Sequence, residues 1–405
     1  MKALDRHPEV VGLARSLGIR PGEGVAQAIV TCCRQMVERM IHEAVGVDSI
    51  QAVQQLISER LGLVFEEFRS DRELAEIVRR HVAAGDVVFA SLPALFDAAT
   101  YATLIRTKPA LEAERIRYVA AIDCRGGKAH RRWFTRWHEI AHLLVLNGRE
   151  LAEPVQRSTT APSATERLMD WIASEVGFLD ALFCPLLEAE LSANQGLTFA
   201  GVQRIREHYC PEASFQSTLL ACLRRLPQPA VYLEAGLGRT KSEEEAFDSE
   251  PVPARRPQPK LRVLVAVPND AARAVGFGFH RNQEVPGESV LHRLFFDANG
   301  AGLKEEETGS EAAGIWHLSS KGSRFRMMGR VQKHMVAGIA LHIVDRNPAG
   351  EAGSTGCKET QETTHDMAAD AGAGLRRAHL VRSGGITGLF ESVREFHAVG
   401  GKVGG

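Results

Sequence analysis

Apolar residues recur at helical spacing in the first part of the chain. Between residues 24 and 45 they form one stripe, made of Ile29, Cys33, Met36, Met40 and Ala44. The same spacing returns over residues 49–60, after a Gly-Val-Asp break. Because positions three and four apart share one face of an α-helix, the two segments predict two amphipathic helices.

Short apolar runs bounded by turn residues predict three strands, over residues 61–68, 86–91 and 117–123. The third run reads RYVAAID and is followed by a Gly126-Gly127 turn. Strands that alternate with helices predict a small sheet within a mainly helical unit. We expect RYVAAID to form an edge of this sheet, where an extended peptide could pair with it by β-augmentation.

Helical spacing then dominates the middle of the chain. It predicts a long helix over residues 129–147 and a second one that begins near Thr165, with a loop rich in Ser and Thr over 157–165 between them. Pro185 predicts the end of the second helix or of a short successor. The helical pattern resumes over residues 198–225.

A change of composition divides the chain. Residues 239–260 combine a run of Glu with four prolines, which is typical of an extended, solvated linker. We therefore predict a first domain over 1–238 with its core at about 25–235, a smaller domain over 261–345, and a largely mobile tail over 346–405.

The smaller domain is predicted to be α+β. Its strand candidates are LRVLVAV at 261–267, RAVGFGFH at 273–280 and MVAGIALHIV at 335–344. One weak helical pattern remains in the tail, near 387–398. The whole chain is thus predicted to be α+β, with a mainly helical first domain that carries a small β-sheet.

Length and charge narrow the possible functions. A chain of 405 residues exceeds the usual size of one hydrophobic core. The formal net charge of -1 gives no general basic field, so we expect no direct binding to nucleic acid. No apolar run approaches the ~20 residues of a membrane span, and the charged opening MKALDRHPEV does not resemble a signal peptide. We expect a cytoplasmic protein without membrane contact.

The predicted helix over 129–147 contains the sequence His138-Glu139-Ile140-Ala141-His142, an HExxH motif. Residues at i and i+4 lie one above the other on a helix, so the two histidines can direct their imidazoles at one ion. Zn²⁺ suits such a site, and a catalytic zinc keeps three protein ligands with one open position. Glu139 is then the candidate general base.

A third ligand is required, and the next helix offers two candidates. Glu166 lies near its start, 24 residues after His142. Asp170 follows one turn later, where it could accept the free N–H of a ligand histidine. Glu175 is the competitor, because it lies nine residues after Glu166 and so on the opposite side of the helix. We favour Glu166.

The string RRWFTRWHEIAHLLVL, followed by ERLMDWIASEVGFL, resembles the ImmA/IrrE family of metallo-endopeptidases. The pattern of this family is an HExxH helix followed by a helix with E-x-x-C/A-N/D-x-x-A-A. Matched residue by residue, Glu166 takes the position of the third ligand and Asp170 that of the Asn or Asp. The resemblance covers about residues 25–235 and implies a zincin-like fold. It also implies a protein substrate, of the class of DNA-binding helix-turn-helix repressors.

Two other classes of function remain open. In the first, the protein is a non-proteolytic sensor or a toxin-antitoxin component, the metal is structural, and the domain over 261–345 binds a ligand or partner. In the second, it is a DNA-binding regulator, for which the best candidates in the 198–225 segment are Arg204, Arg206, Arg224 and Arg225.

Details of the chemistry also stay open at this point. The oxyanion-stabilising donor could be His208 with Tyr209, while Tyr118 and His130 are placed no worse by sequence. Arg131, Arg132 and Arg136 are interpreted as a solvated helix face. The sequence identifies neither the substrate nor the oligomeric state.

Overall fold

A computed structural model describes residues 2–107, 117–146, 154–158, 163–194, 196–249, 258–298, 305–318, 323–332 and 335–343 of the chain. These residues form a mixed α+β fold with two β-sheets, as the sequence predicts. The predicted tail over 346–405, with its weak helix, lies outside the described residues.

Helices make up most of the chain before residue 226. The two predicted near the start are present and are preceded by two short ones. The helices are α1 Lys2–Asp5, α2 Pro8–Ser16, α3 Val25–His42, α4 Ile50–Leu61, α5 Asp71–Ala83, α6 Arg132–Leu146, α7 Ala164–Gly177, α8 Asp180–Asn194, α9 Phe199–Tyr209 and α10 Phe215–Arg225.

Within this region, four strands form the first sheet. They are β1 Leu63–Phe68, β2 Thr100–Arg106, β3 Tyr118–Asp123 and β4 Val155–Ser158, in the spatial order β1-β3-β2-β4. β3 is parallel to β1 and antiparallel to β2. β3 is the predicted RYVAAID strand, and the expectation that it forms an edge is wrong, because it pairs on both sides. Among the strands that the structure describes, β1 and β4 are the edges of this sheet.

The strand predicted over 86–91 is also wrong. Residues Val87–Leu95 form a 3₁₀ helix that contains Pro93. Proline cannot donate a hydrogen bond to a sheet ladder, so this apolar run is unsuited to an interior strand. The second partner of β3 is instead β2, whose sequence TYATLIR has the β-branched and aromatic residues of a strand.

Pro185 does not end a helix, because α8 continues through it to Asn194. Within a helix, proline removes one i to i−4 hydrogen bond but does not always terminate the element. The preceding break falls earlier, between Gly177 at the end of α7 and Asp180 at the start of α8.

Five antiparallel strands form the second sheet. They are β5 Ala230–Gly238, β6 Lys260–Pro268, β7 Glu306–Ala312, β8 Arg324–Gln332 and β9 Met335–Ile343, in the order β6-β5-β9-β8-β7. β5 pairs with β6 on one side and β9 on the other. Residues 230–238, which the sequence analysis assigns to the first domain, form an interior strand of this sheet.

The segment predicted as an extended linker begins with a helix, α11 Lys241–Ser249. Thr240 and Glu243 form a reciprocal capping box at its start: the Thr240 hydroxyl accepts from the Glu243 N–H at 3.2 Å, and the Glu243 carboxylate accepts from the Thr240 N–H at 2.7 Å. The T-x-x-E signal was present in the sequence. Residues 250–257 lie outside the described part.

The strand predicted over 273–280 is absent as well. Its first residues belong to α12 Asp270–Ala274, and a longer helix follows as α13 Val290–Ala298. The side chain of Asn269 caps α12 by accepting from the Ala272 N–H at 2.8 Å. Gly276, with φ at +67°, then turns the chain away from helical geometry.

The two sheets share one continuous hydrophobic core through the helices. One face of the second sheet is buried in the same cluster as the residues of α3, α6, α7, α9 and α10, through Ala230, Tyr232, Val265, Val267, Met328, Ala337, Ile339 and Leu341. Asn269 stabilises the contact between the second sheet and the helical region, since its amide donates to the carbonyls of Leu226 and Gln228. The second sheet is therefore packed against the helical region. None of the helices in the described ranges is long and apolar enough to span a membrane.

Candidate metal centre

Helix α6 carries the HExxH residues in a buried environment. Its apolar side packs into the main core, where Trp137, Ile140 and Ala141 have no exposed surface. Burial of that side fixes the rotation of the helix. As a result His138 and Glu139 are fully buried and His142 is 6 % exposed.

Helix α7 begins beside this face and brings Glu166 to it. The Ser163 hydroxyl caps the helix by accepting from the Glu166 N–H at 3.1 Å. In a full capping box the Glu carboxylate would reach back to the Ser163 backbone. Here it is directed at the imidazoles of His138 and His142 instead.

Three potential ligand atoms converge at this point. His138 Nε2 lies 3.0 Å from Glu166 Oε2 and 3.2 Å from His142 Nε2, and His142 Nε2 lies 3.3 Å from Glu166 Oε1. In a tetrahedral site with bonds of about 2.0–2.1 Å, neighbouring ligand atoms are about 3.4 Å apart. His138, His142 and Glu166 can therefore hold one metal ion.

Asp170 occupies the place predicted for it. Its Oδ1 atom lies 2.9 Å from Nδ1 of His138, and both side chains are buried. The carboxylate accepts the Nδ1–H, which leaves Nε2 of His138 as the bare nitrogen. Nε2 of His142 lies 3.2 Å from this bare nitrogen, so a proton or a cation must lie between the two atoms. This chemistry fits a cation site.

The ionisation of Glu166 depends on the two imidazoles that face its carboxylate. Burial alone would raise the pKa of its carboxyl group, but the imidazoles of His138 and His142, when protonated, place positive charge and N–H donors against it and hold that pKa well below its usual range. Glu166 is thus ionised at neutral pH. An ionised carboxylate is the form that binds a metal.

Glu175, the competing candidate, is not part of this cluster. Its carboxylate pairs with the guanidinium of Arg224 on α10, which also donates to the Ser174 hydroxyl at 2.6 Å. The nine-residue spacing from Glu166 turns Glu175 to the other side of α7, as expected from helical geometry.

The turn that leads into α6 is held by a buried carboxylate that the sequence analysis did not single out. Asp123, at the end of β3, accepts from Lys128 Nζ at 2.7 Å and from the Arg125 guanidinium. Lys128 also donates to the carbonyls of Asp97 and Thr100, each at 2.8 Å. This network fixes the 3₁₀ helix Gly126–Arg131, which immediately precedes α6, the helix that carries His138 and His142.

The arginines of α6 are not a purely solvated face. Arg136 Nε donates to Glu67 on β1 at 2.8 Å, and Arg132 donates to Glu212 at 2.8 Å. Arg136 also contacts Glu212 at 3.3 Å. These ion pairs join α6 to the first sheet and to the turn between α9 and α10. No local sequence pattern indicates these contacts.

The residues that supported a DNA-binding alternative are engaged within the chain. Arg204 pairs with Glu190, Arg206 donates to the carbonyls of Pro211 and Ala213, and Arg225 pairs with Asp180. Arg204, Arg224 and Arg225 connect neighbouring helices, whereas Arg206 binds the turn that follows its own helix. Each of the four arginines thus has an acceptor within the chain, which weakens the support for a basic DNA-binding face.

Tyr209 does not serve as an oxyanion donor in this arrangement. Its buried hydroxyl donates to the Gly177 carbonyl and accepts from the Leu179 N–H, both at 3.0 Å. His208 is on the exposed side of α9, with Nδ1 2.9 Å from the Arg204 carbonyl. The oxyanion role of Tyr118 or His130 stays a prediction.

A scan against models of known protein families finds no family that matches the chain, and a search of curated proteins finds no match either.

Proposed function

We propose that the protein is a zinc-dependent endopeptidase. The observation that carries the proposal is the convergence of His138, His142 and Glu166 on one point, with the carboxylate Glu139 adjacent to His138 on the same helix. Two imidazoles and one carboxylate are the ligand set of several catalytic zinc sites, and they leave a fourth position open. The resemblance to ImmA/IrrE metallo-endopeptidases supports the same conclusion.

Each residue has a distinct part in peptide-bond hydrolysis. When bound, zinc supplies Lewis acidity, which lowers the pKa of water toward about 7 and polarises a carbonyl. Glu139 accepts the proton of the attacking water and passes it to the leaving amine. Asp170 holds the tautomer and orientation of His138 through the Nδ1–H.

Access to the site is asymmetric. The side chains of His142 and Glu166 are 7 % and 14 % exposed, whereas that of His138 has no exposed surface. A substrate carbonyl therefore approaches from the side of His142 and Glu166. Catalysis by Glu139, which is fully buried, requires that this side open further when substrate binds.

An extended peptide fits the first sheet at β4. This strand forms the edge next to β2, and Ser158 at its end lies five residues before Ser163, the N-cap of α7. The β1 edge, in contrast, is joined to α5 through the Glu66 contacts with Arg80 and His81. Main-chain pairing with β4 would hold a peptide in a fixed register.

The substrate class follows from the family resemblance. We propose a cytoplasmic protein substrate of the helix-turn-helix repressor class. A structural metal site is the competing function, but such sites are closed by four protein ligands and need no neighbouring base. Three ligands and Glu139 favour catalysis.

A trapping experiment tests the proposal. The Glu139→Gln protein retains all three ligands but lacks the base, so it should load zinc and retain a substrate that it cannot cleave. Proteins captured by Glu139→Gln are then incubated with the unaltered zinc-loaded protein, and new termini are mapped by mass spectrometry. Cleavage of a captured protein by the unaltered protein alone is expected. Intact captured proteins after loading with zinc would contradict the endopeptidase function.

A further inference from the structure

The N-terminal helices pack against the helices that carry the candidate metal ligands. Helix α2 packs against α6 and α7, which carry all three ligand side chains, as well as against α3. Leu4, Val10 and Ala14 are buried in the main core. The Asp5 carboxylate also accepts from the Ala26 N–H at 3.0 Å at the start of α3, which anchors α1.

One side-chain contact joins α2 directly to the first turn of α7. The Thr165 hydroxyl donates to Oε2 of Glu9 at 2.7 Å. Thr165 immediately precedes Glu166. The adjacent contact within the same turn is the cap, in which the Ser163 hydroxyl accepts from the Glu166 N–H. The first turn of α7 is thus held to its N-cap by the bonds of the Glu166 and Arg167 N–H groups to Ser163, and to α2 by the bond between Thr165 and Glu9.

This turn needs such support because helix ends fray. The first turn of a helix lacks intrahelical acceptors for its N–H groups, so its position depends on caps and on contacts with other elements. A metal ligand in that turn must stay within a fraction of an ångström of its bonding position. The acceptor is a carboxylate, but the Glu9 side chain is 57 % exposed, so solvent screens the bond and its contribution is modest.

We infer that Glu9 is a positioning residue for the metal centre, which acts through Thr165 to hold Glu166 in place for the metal. The inference rests on the metal site of the proposed function but not on proteolysis. It assigns a role to the N-terminal segment, which lies outside the 25–235 range of the family resemblance. Glu9 itself does not belong to the cluster of ligand atoms.

Zinc affinity tests the inference without any assay of cleavage. Thr165→Val removes the hydroxyl and keeps the β-branched shape, Glu9→Gln removes the charge, and Thr165→Ser retains the donor. Competition with a chromophoric chelator should show zinc binding weakened about five- to tenfold in Thr165→Val, less in Glu9→Gln, and near the unaltered value in Thr165→Ser. Thermal unfolding of the metal-free proteins controls for a general loss of stability.

The double variant and a cobalt spectrum separate positioning from structural damage. If the two residues act through their mutual bond, Glu9→Gln combined with Thr165→Val should bind zinc no more weakly than Thr165→Val alone. The visible absorption bands of the Co²⁺-loaded protein should change in Thr165→Val and return in Thr165→Ser. Unchanged zinc affinity and an unchanged cobalt spectrum in Thr165→Val would overturn the inference, while loss of zinc binding by the unaltered protein would overturn the proposed site itself.

Discussion

His138 and Asp170 lie on different helices, yet Nδ1 of the histidine is 2.9 Å from Oδ1 of the aspartate, and both side chains are buried. The contact fixes which nitrogen of His138 carries the proton. It also couples the orientation of α6 to that of α7. Asp170 lies one turn after Glu166 on α7, and both of these side chains contact His138 on α6. Helix α7 therefore supplies both Glu166 and the hydrogen-bond partner of His138.

Asp170→Ala should weaken zinc binding about 10- to 100-fold, because His138 then loses the acceptor that orients its ring. Asp170→Asn keeps an acceptor oxygen at the same place and should lose less. Chelator competition measures both affinities. If Asp170→Ala bound zinc as tightly as the unaltered protein, the orienting role of Asp170 would be excluded.

Glu175→Gln should keep zinc binding intact, since Glu175 contacts Arg224 and not the ligand cluster. Arg224→Ala, in contrast, should lower the free energy of unfolding by about 3 kcal/mol, because it removes the cation that is hydrogen-bonded to the largely buried Glu175 carboxylate. Urea unfolding and zinc titration of the two variants give these values. Zinc loss in Glu175→Gln combined with full zinc binding in Glu166→Ala would reverse the ligand assignment.

Asp123 should make the stability of the fold depend on pH. Burial alone would raise its pKa, but bonds from Arg125 and Lys128 lower the pKa below the ordinary value. A lowered pKa in the folded state means that the ionised group stabilises the fold above the unfolded pKa of about 3.9, and that this contribution is lost as the pH falls through the folded value.

Asp123→Asn should therefore cost about 2 kcal/mol of unfolding free energy at neutral pH. The difference between Asp123→Asn and the unaltered protein should shrink as the pH is lowered below about 4. Urea unfolding at a series of pH values checks this. A difference that stayed constant down to pH values where the unaltered protein unfolds would mean that ionisation of Asp123 does not contribute.

A chain that ends at Arg239 should not fold stably. It would keep β5 but lose β6 and β9, the strands that pair with it on both sides. The apolar face that Ala337, Ile339 and Leu341 cover in the main core would be exposed. Circular dichroism during thermal unfolding should show no cooperative transition. A cooperative transition and full zinc binding in this shortened chain would show that the second sheet is dispensable.

The cluster of His138, His142 and Glu166 could be predicted from the sequence because its signals are local. His138 and His142 are four residues apart on one helix, so periodicity alone places them together. To predict Glu166 and Asp170, it was enough to know where the next helix begins and which of its residues share one face. The resemblance to ImmA/IrrE proteins favoured the same residues.

The contacts around the site were not predictable in the same way. The bonds from Arg136 to Glu67 and from Arg224 to Glu175 join residues far apart in sequence, and nothing in their local surroundings specifies the partner. The order of the strands in the sheet could not be predicted for the same reason. The apolar run of β3 is compatible with an edge or an interior strand until its neighbours are known. The place of β5 likewise depends on pairing with strands that follow the Pro-rich segment.

Zinc content and cleavage, measured together for three proteins, test the central claim most directly. The claim is that Glu166 is a ligand and Glu139 is the base. A protein substrate captured by Glu139→Gln is offered to the unaltered protein, to Glu139→Gln and to Glu166→Ala, and bound zinc is determined by elemental analysis. We predict one zinc and cleavage for the unaltered protein, one zinc and no cleavage for Glu139→Gln, and neither for Glu166→Ala. Full zinc content with cleavage in Glu166→Ala, or undiminished cleavage by Glu139→Gln, would contradict the account.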